Sequence, residues 1–108
     1  MFLVCLLMRT RRGVSLVQAG FRTYVENELP VIREAGGRNV AYYLPTDFAG
    51  PTNIGYGLIE IETMADYERY RHALAEHPTH VRNAAALAES GGVLSMERSF
   101  IRRHGDSQ

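Results

Sequence analysis

The chain has 108 residues, 12 of them basic and 12 acidic, for a formal net charge of 0. Every basic residue is an arginine, which excludes chemistry that needs a Schiff-base lysine or a phosphate-loop lysine. The balanced charge gives no electrostatic footprint for nucleic acid or an acidic membrane surface, and the length fits a single domain, 1–108.

Phe2–Thr10 is an apolar run with the length of a strand. It is too short to span a membrane and lacks the basic lead and small-residue cleavage pattern of a signal peptide. It reads as a first strand covered on both faces, and the cytoplasm is the default location. The sole cysteine, Cys5, has no partner for an internal disulfide and reads as a small buried hydrophobe. Arg11, Arg12 and Gly13 form a turn. Ser15 and Gln18 have the spacing of a capping box, and Val14, Val17, Phe21, Tyr24, Val25 and Leu29 then recur at helical spacing. Pro30 is expected to kink or restart this helix, and Gly36 with Gly37 to end it.

Residues 38–44 alternate as a second strand, with Val40, Tyr42 and Leu44 on one face and Asn39, Ala41 and Tyr43 on the other. A turn-rich stretch over 45–53, with Gly50 and Pro51 inside, leads to a third strand over 54–62. There Ile54, Tyr56 and Leu58 point one way, and Gly55, Gly57, Ile59 and Ile61 the other. Thr63 and Asp66 form a second capping pair, opening a helix with Tyr67, Tyr70 and Leu74 on one stripe. His77 and Pro78 restart the chain as a short helix whose apolar residues are Val81, Ala84, Ala85, Leu87 and Ala88. Gly91 and Gly92 end it, Val93–Ile101 is the last strand, and 104–108 is a polar tail.

The order β-α-β-β-α-α-β predicts an α+β protein: a ferredoxin-like β-α-β-β-α-β antiparallel sheet of four strands with helices on one face. The helices leave nothing to cover the other face, yet the strands carry apolar residues on both. A face of this kind asks for a partner sheet, most simply a second copy across a two-fold axis.

Several groups of residues carry chemistry. His72, His77 and His80 have the residue type for zinc, iron or haem, but Pro78 interrupts their helix and no metalloprotease-type motif accompanies them, so solvated helix-end histidines are preferred and no metal is expected. Tyr42, Tyr43, Tyr56, Tyr67 and Tyr70 can stack on and hydrogen-bond an aromatic ligand, or simply fill the core. Glu60, Glu97, Arg98 and Arg9 are strand charges among apolar neighbours. A buried carboxylate there would be a general base, whereas an Arg–Glu pair at a sheet edge or dimer rim is the preferred reading. Asn53 opens the third strand as a turn residue or a ligand contact. Gly55 and Gly57 admit a close neighbour or a bulge, with no helix behind them to make a phosphate loop.

Four stretches, Ala41-Tyr42-Tyr43-Leu44-Pro45-Thr46, Asn53-Ile54-Gly55-Tyr56-Gly57-Leu58-Ile59-Glu60, Tyr67-Glu68-Arg69-Tyr70-Arg71 and Glu97-Arg98-Ser99-Phe100, resemble the NIPSNAP family of the dimeric α+β barrel superfamily. The helix end Glu28-Leu29-Pro30-Val31-Ile32-Arg33 before Gly36 and Gly37 is similar too, while the first strand is more apolar than the family's. The resemblance implies a homodimer whose sheets face each other, with a pocket between sheet and helices. It also implies kinship with cofactor-independent monooxygenases, haem-binding enzymes and isomerase-like proteins. The resulting expectation is a homodimer that binds or transforms a small organic molecule without a nicotinamide or other cofactor, with Tyr42, Tyr56, His72, Arg71 and Asn53 as candidate ligand-binding residues. The alternative is a non-enzymatic protein-interaction adaptor.

Overall fold

The computed structural model describes residues 1–46 and 51–105. Seven elements follow in chain order: β1 (Phe2–Thr10), α1 (Phe21–Glu34), β2 (Arg38–Tyr43), β3 (Ile54–Ile61), α2 (Met64–Glu76), α3 (Pro78–Glu89) and β4 (Val93–Ile101). The strands form one antiparallel sheet in the order β2-β3-β1-β4, the ferredoxin-like arrangement. Part of the expected turn over 45–53, including Gly50, and the end of the polar tail lie outside the described residues. No helix is long and apolar enough among the described residues to cross a membrane.

The helices cover one face of the sheet only. On β1, Val4, Leu6, Met8 and Thr10 are buried, while Leu3, Cys5 and Leu7 between them are only half-buried. The first strand is thus covered on one face within this chain, not on both as its unbroken apolar run suggests. The uncovered face carries rows read across the register: Ala41, Leu58, Cys5 and Ser99 in one, Tyr43, Tyr56, Leu7 and Glu97 in the next.

The start of α1 departs from the sequence expectation. Ser15 and Gln18 do satisfy each other's backbone amides, at 2.9 and 3.1 Å, but they close a single turn rather than opening the long helix. Gly20, at φ 90°, breaks the run, and α1 begins at Phe21. That left-handed conformation is open to glycine and costly for other residues. Leu16 and Ala19, on the isolated turn, are buried with Met8, Phe21, Tyr24 and Leu87. Pro30 neither restarts nor ends α1, which runs through it to Glu34. Both Pro30 and Glu26 are exposed, so the Glu26 carbonyl that loses its donor is free to meet water. The helix ends as expected, with the Gly37 amide donating to the Ile32 carbonyl at 2.9 Å and Gly36 to Arg33 at 3.1 Å, the paired bonds of a Schellman cap.

Thr63 caps α2 through the Asp66 amide at 3.1 Å, and hydrogen bonds from Thr63 and then Arg69 lower the Asp66 carboxyl below its ordinary value. In α3 the phase differs from the apolar pattern: Asn83 and Leu87 are buried, while Val81 is exposed. Two strand irregularities went unread in the sequence. Asn39, at φ 47°, lies in a bulge between Arg38 and Ala41, and a shift at Arg9 and Thr10 leaves Leu94 exposed opposite β1.

Gly57 faces Tyr42 in register, and the tyrosine ring lies against it: a Cβ on Gly57 would meet the ring at 2.8 Å. This is the close neighbour that the strand glycines admit. Gly57→Ala is expected to push the ring off the sheet and lower stability by about 1–3 kcal/mol, the usual cost of overpacking, measured as a fall in the urea midpoint.

Candidate functional site

The inward stripe of α1 reads Phe21, Tyr24, Glu28, Val31 and Ile32. A carboxylate on this stripe is buried with the rest, and Glu28 is only 1% exposed. A buried charge needs partners, and α3 supplies them. His80 Nδ1 lies 2.5 Å from Glu28 Oε2, and Asn83 Nδ2 donates to Glu28 Oε1 at 3.1 Å and to the Tyr24 carbonyl at 2.9 Å. The Tyr24 hydroxyl lies against the same carboxylate. An ionised carboxylate only accepts, so Nδ1 carries the proton in this pair and a neutral His80 has its lone pair on Nε2.

This cluster sits at the meeting of two cavities. The inner one, between helices and sheet, is a recess of about 20 Å³ lined by Glu28, Tyr42, Tyr70, Arg71, His80 and Arg98 among others. The outer one, between α3 and the edge strand β4, is a cleft of about 370 Å³ with walls of Ala84, Leu87, Ala88, Val93 and Met96. Tyr24, His80, Met96 and Arg98 line both. The Tyr42 hydroxyl is buried in the recess without a hydrogen-bond partner, the one such side-chain group among the described residues. Burial, then the neighbouring Glu28 carboxylate, raises the Tyr24 phenol far above its ordinary value. Burial does the same to Tyr42 and lifts Tyr70 to about 12.

The structure brings Tyr70, His80 and Arg98 together here and, of the five candidate ligand-binding residues, Tyr42 and Arg71. It places the others elsewhere. Tyr56 is on the uncovered sheet face, paired with Tyr43 and Leu7 and 47% exposed. Alternation sets it opposite to Gly57, and therefore to Tyr42. His72 is on the outer side of α2 against Glu76 at 3.3 Å. Asn53 ties a turn, its side chain donating to the Thr10 carbonyl at 3.3 Å and its own carbonyl accepting from the Thr10 amide at 3.0 Å. The three histidines do not converge: His77 meets Glu34 at 2.6 Å, His80 meets Glu28 and His72 meets Glu76. Arg98, read as a rim charge, faces the helix side opposite Leu6 and lines the cleft. Glu28 and Asn83 escaped sequence reasoning. Their signal was an acid four residues after Tyr24 and four before Ile32, and an amide four before Leu87.

The four-stranded sheet with one-sided helices and a pocket beneath them defines a ferredoxin-like α+β domain. Solved structures with this fold include a NIPSNAP-like domain protein from Burkholderia xenovorans, with a TM-score of 0.74 at 18% identity over 99% of this chain and 88% of that one. A dimeric protein of unknown function from Bacteroides fragilis has a TM-score of 0.63 at 18% identity over 94% and 96%. SnoaB, a cofactor-independent oxygenase from Streptomyces nogalater, has a TM-score of 0.61 at 14% identity over 99% and 98%. No curated protein matches the chain. The NIPSNAP family profile matches residues 14–108, all but β1 and the turn after it, and the chain belongs to that family.

Two outcomes follow from the buried phenols. Tyr42→Phe removes a hydroxyl that has no partner in the protein and is expected to raise stability by about 1 kcal/mol, read from the urea midpoint. Tyr24, Tyr42 and Tyr70 stay protonated in the folded chain above the ordinary phenol value of about 10. In the unfolded chain they ionise there. The stability that follows from Tyr70 is therefore full below about pH 10 and is lost as pH rises through about 12, with the parts from Tyr24 and Tyr42 lost at higher pH, which denaturation midpoints measured across alkaline pH will show.

Proposed function

We propose that the chain works as a homodimer, joined through its uncovered sheet face, and that each copy binds a small, partly apolar organic molecule in the cleft between α3 and β4 and moves a proton on it through His80. The observation that carries the reading is the buried Glu28 carboxylate, gripped by His80 and Asn83 at the inner end of an apolar cleft. His80 Nε2 takes the proton, and Glu28 stabilises the imidazolium that results, as a buried carboxylate does for a base in other proton-transfer sites. Arg98 and Arg71 offer positive charge to the anion left behind. Tyr42 and Arg71 keep their place as candidate ligand contacts. Tyr56 takes a different one, at the sheet face that meets the partner copy.

Leu3, Cys5, Leu7, Ile54, Tyr56 and Leu58 support the dimer. They lie on central strands with no helix over them, and proteins of the same fold from Bacteroides fragilis and Thermobifida fusca are dimeric. The family and the fold leave the chemistry open, and the reading of it rests on the cleft.

Native mass spectrometry of the protein as purified is expected to show twice 12.1 kDa, with a fixed extra mass from a ligand that survives purification. Ala84→Trp, which fills the cleft, removes the extra mass and keeps the dimer. Leu58→Arg, which puts a charge in the sheet face, gives the monomer mass. A monomer in the unaltered protein overturns the assembly. A dimer that takes up no member of a library of small aromatic and carbonyl compounds overturns the cleft.

A further inference from the structure

The inner recess and the outer cleft differ in size in a way that restricts what can occupy them. The cleft, at about 370 Å³, accommodates a ring or a short branched body. The recess, at about 20 Å³, holds little more than one water-sized centre. A ligand lodged in both has an apolar body outside and a single oxygen inside. The partnerless Tyr42 hydroxyl lines the recess. So do Arg71 and Tyr70 from α2, Arg98 from β4, Tyr24 and Glu28 from α1, and His80 from α3. Glu28 is already engaged by His80 and Asn83, which leaves the two guanidinium groups and the Tyr70 and Tyr42 hydroxyls to meet the incoming oxygen, Tyr42 being the one buried without a partner.

We propose that the recess selects a ligand with one projecting oxygen that becomes negatively charged, a phenol or the enol of a carbonyl compound, and that Tyr42 donates the hydrogen bond that recognises it. This rests on the cleft reading above. The ligand's O–H bond breaks, its proton passes to His80 Nε2, and the electron pair stays on the oxygen, held by Tyr42 Oη–H and Arg98. A carboxylate is disfavoured because its second oxygen has no room in the recess. A hydrocarbon is disfavoured because it leaves the Tyr42 donor unpaired. Tyr42 is then a specificity-determining residue: its hydroxyl is a burden to the folded chain alone and finds its partner in the ligand.

The test uses three probes of similar size: para-nitrophenol, whose absorbance reports the ionised form, para-nitrobenzoate with two oxygens at that end, and nitrobenzene with none. The dimer is expected to bind para-nitrophenol as the phenolate, about tenfold or more tighter than either other probe, as a hydrogen bond to a charged group implies. Tyr42→Phe, which keeps the ring and needs no repacking, is expected to lower that preference about tenfold. Arg98→Met reduces the preference independently of Tyr42. Equal binding of all three probes, or tightest binding of para-nitrobenzoate, overturns the single-oxygen recess and leaves the cleft standing, provided that Ala84→Trp blocks the probes. Binding that Ala84→Trp does not block, or binding of none of the three, overturns both readings. An unchanged phenolate preference in Tyr42→Phe overturns the role of Tyr42.

Discussion

A carboxylate on the inward stripe of a helix cannot remain unpaired in an apolar interior. Glu28 stands four residues from both Tyr24 and Ile32, so α1 cannot bury those two without burying the acid as well. The facing helix must answer it. At positions where packing alone would call for aliphatic residues, α3 presents His80 and Asn83, and Val81 turns to water. The bond to Glu28 also fixes which nitrogen of His80 carries the proton and which is left to act. One requirement, satisfying a buried charge, therefore sets both the rotation of α3 and the chemical state of the residue at the cleft.

The sheet contributes by what it lacks. Gly57 lets the Tyr42 ring lie against the strand, which carries its hydroxyl inward to the recess. Gly55 does the same for Leu16, drawing the isolated turn before α1 onto the sheet. At the sheet edge, β4 flanks the cleft with Val93, Met96 and Arg98 across from α3. Enclosure beneath the helices and access beside them come from the same one-sided layering, which also leaves the opposite face of the sheet open for a second copy.

Much of the fold was legible because it depends on local signals. Capping at Thr63, the double glycine after α1, the alternation in β2 and β3, and the restart at Pro78 each express a preference that acts over a few residues. The failures were of two kinds. A capping box at Ser15 closes a turn whether or not a helix follows, and Gly20 decided that it did not. The bulges at Asn39 and Leu94 came from the register between strands distant in sequence.

The site was far less legible, because its members come from α1, α2, α3, β2 and β4, up to seventy-four positions apart between Tyr24 and Arg98. Tyrosine and histidine content pointed to Tyr42, Tyr56 and His72 alike. Strand alternation separates Tyr42 from Tyr56, and helix phase turns His72 outward to Glu76. By itself the sequence determined the element order, the one-sided helical cover and the surplus of apolar residues on the strands, since these follow from periodicity and from the reach of short connections. Only the tertiary structure decided that Glu28, His80 and Tyr42 share one recess, since burial and partnership are properties of the packed chain, and a residue's spacing along the sequence says nothing of which distant side chain it must satisfy.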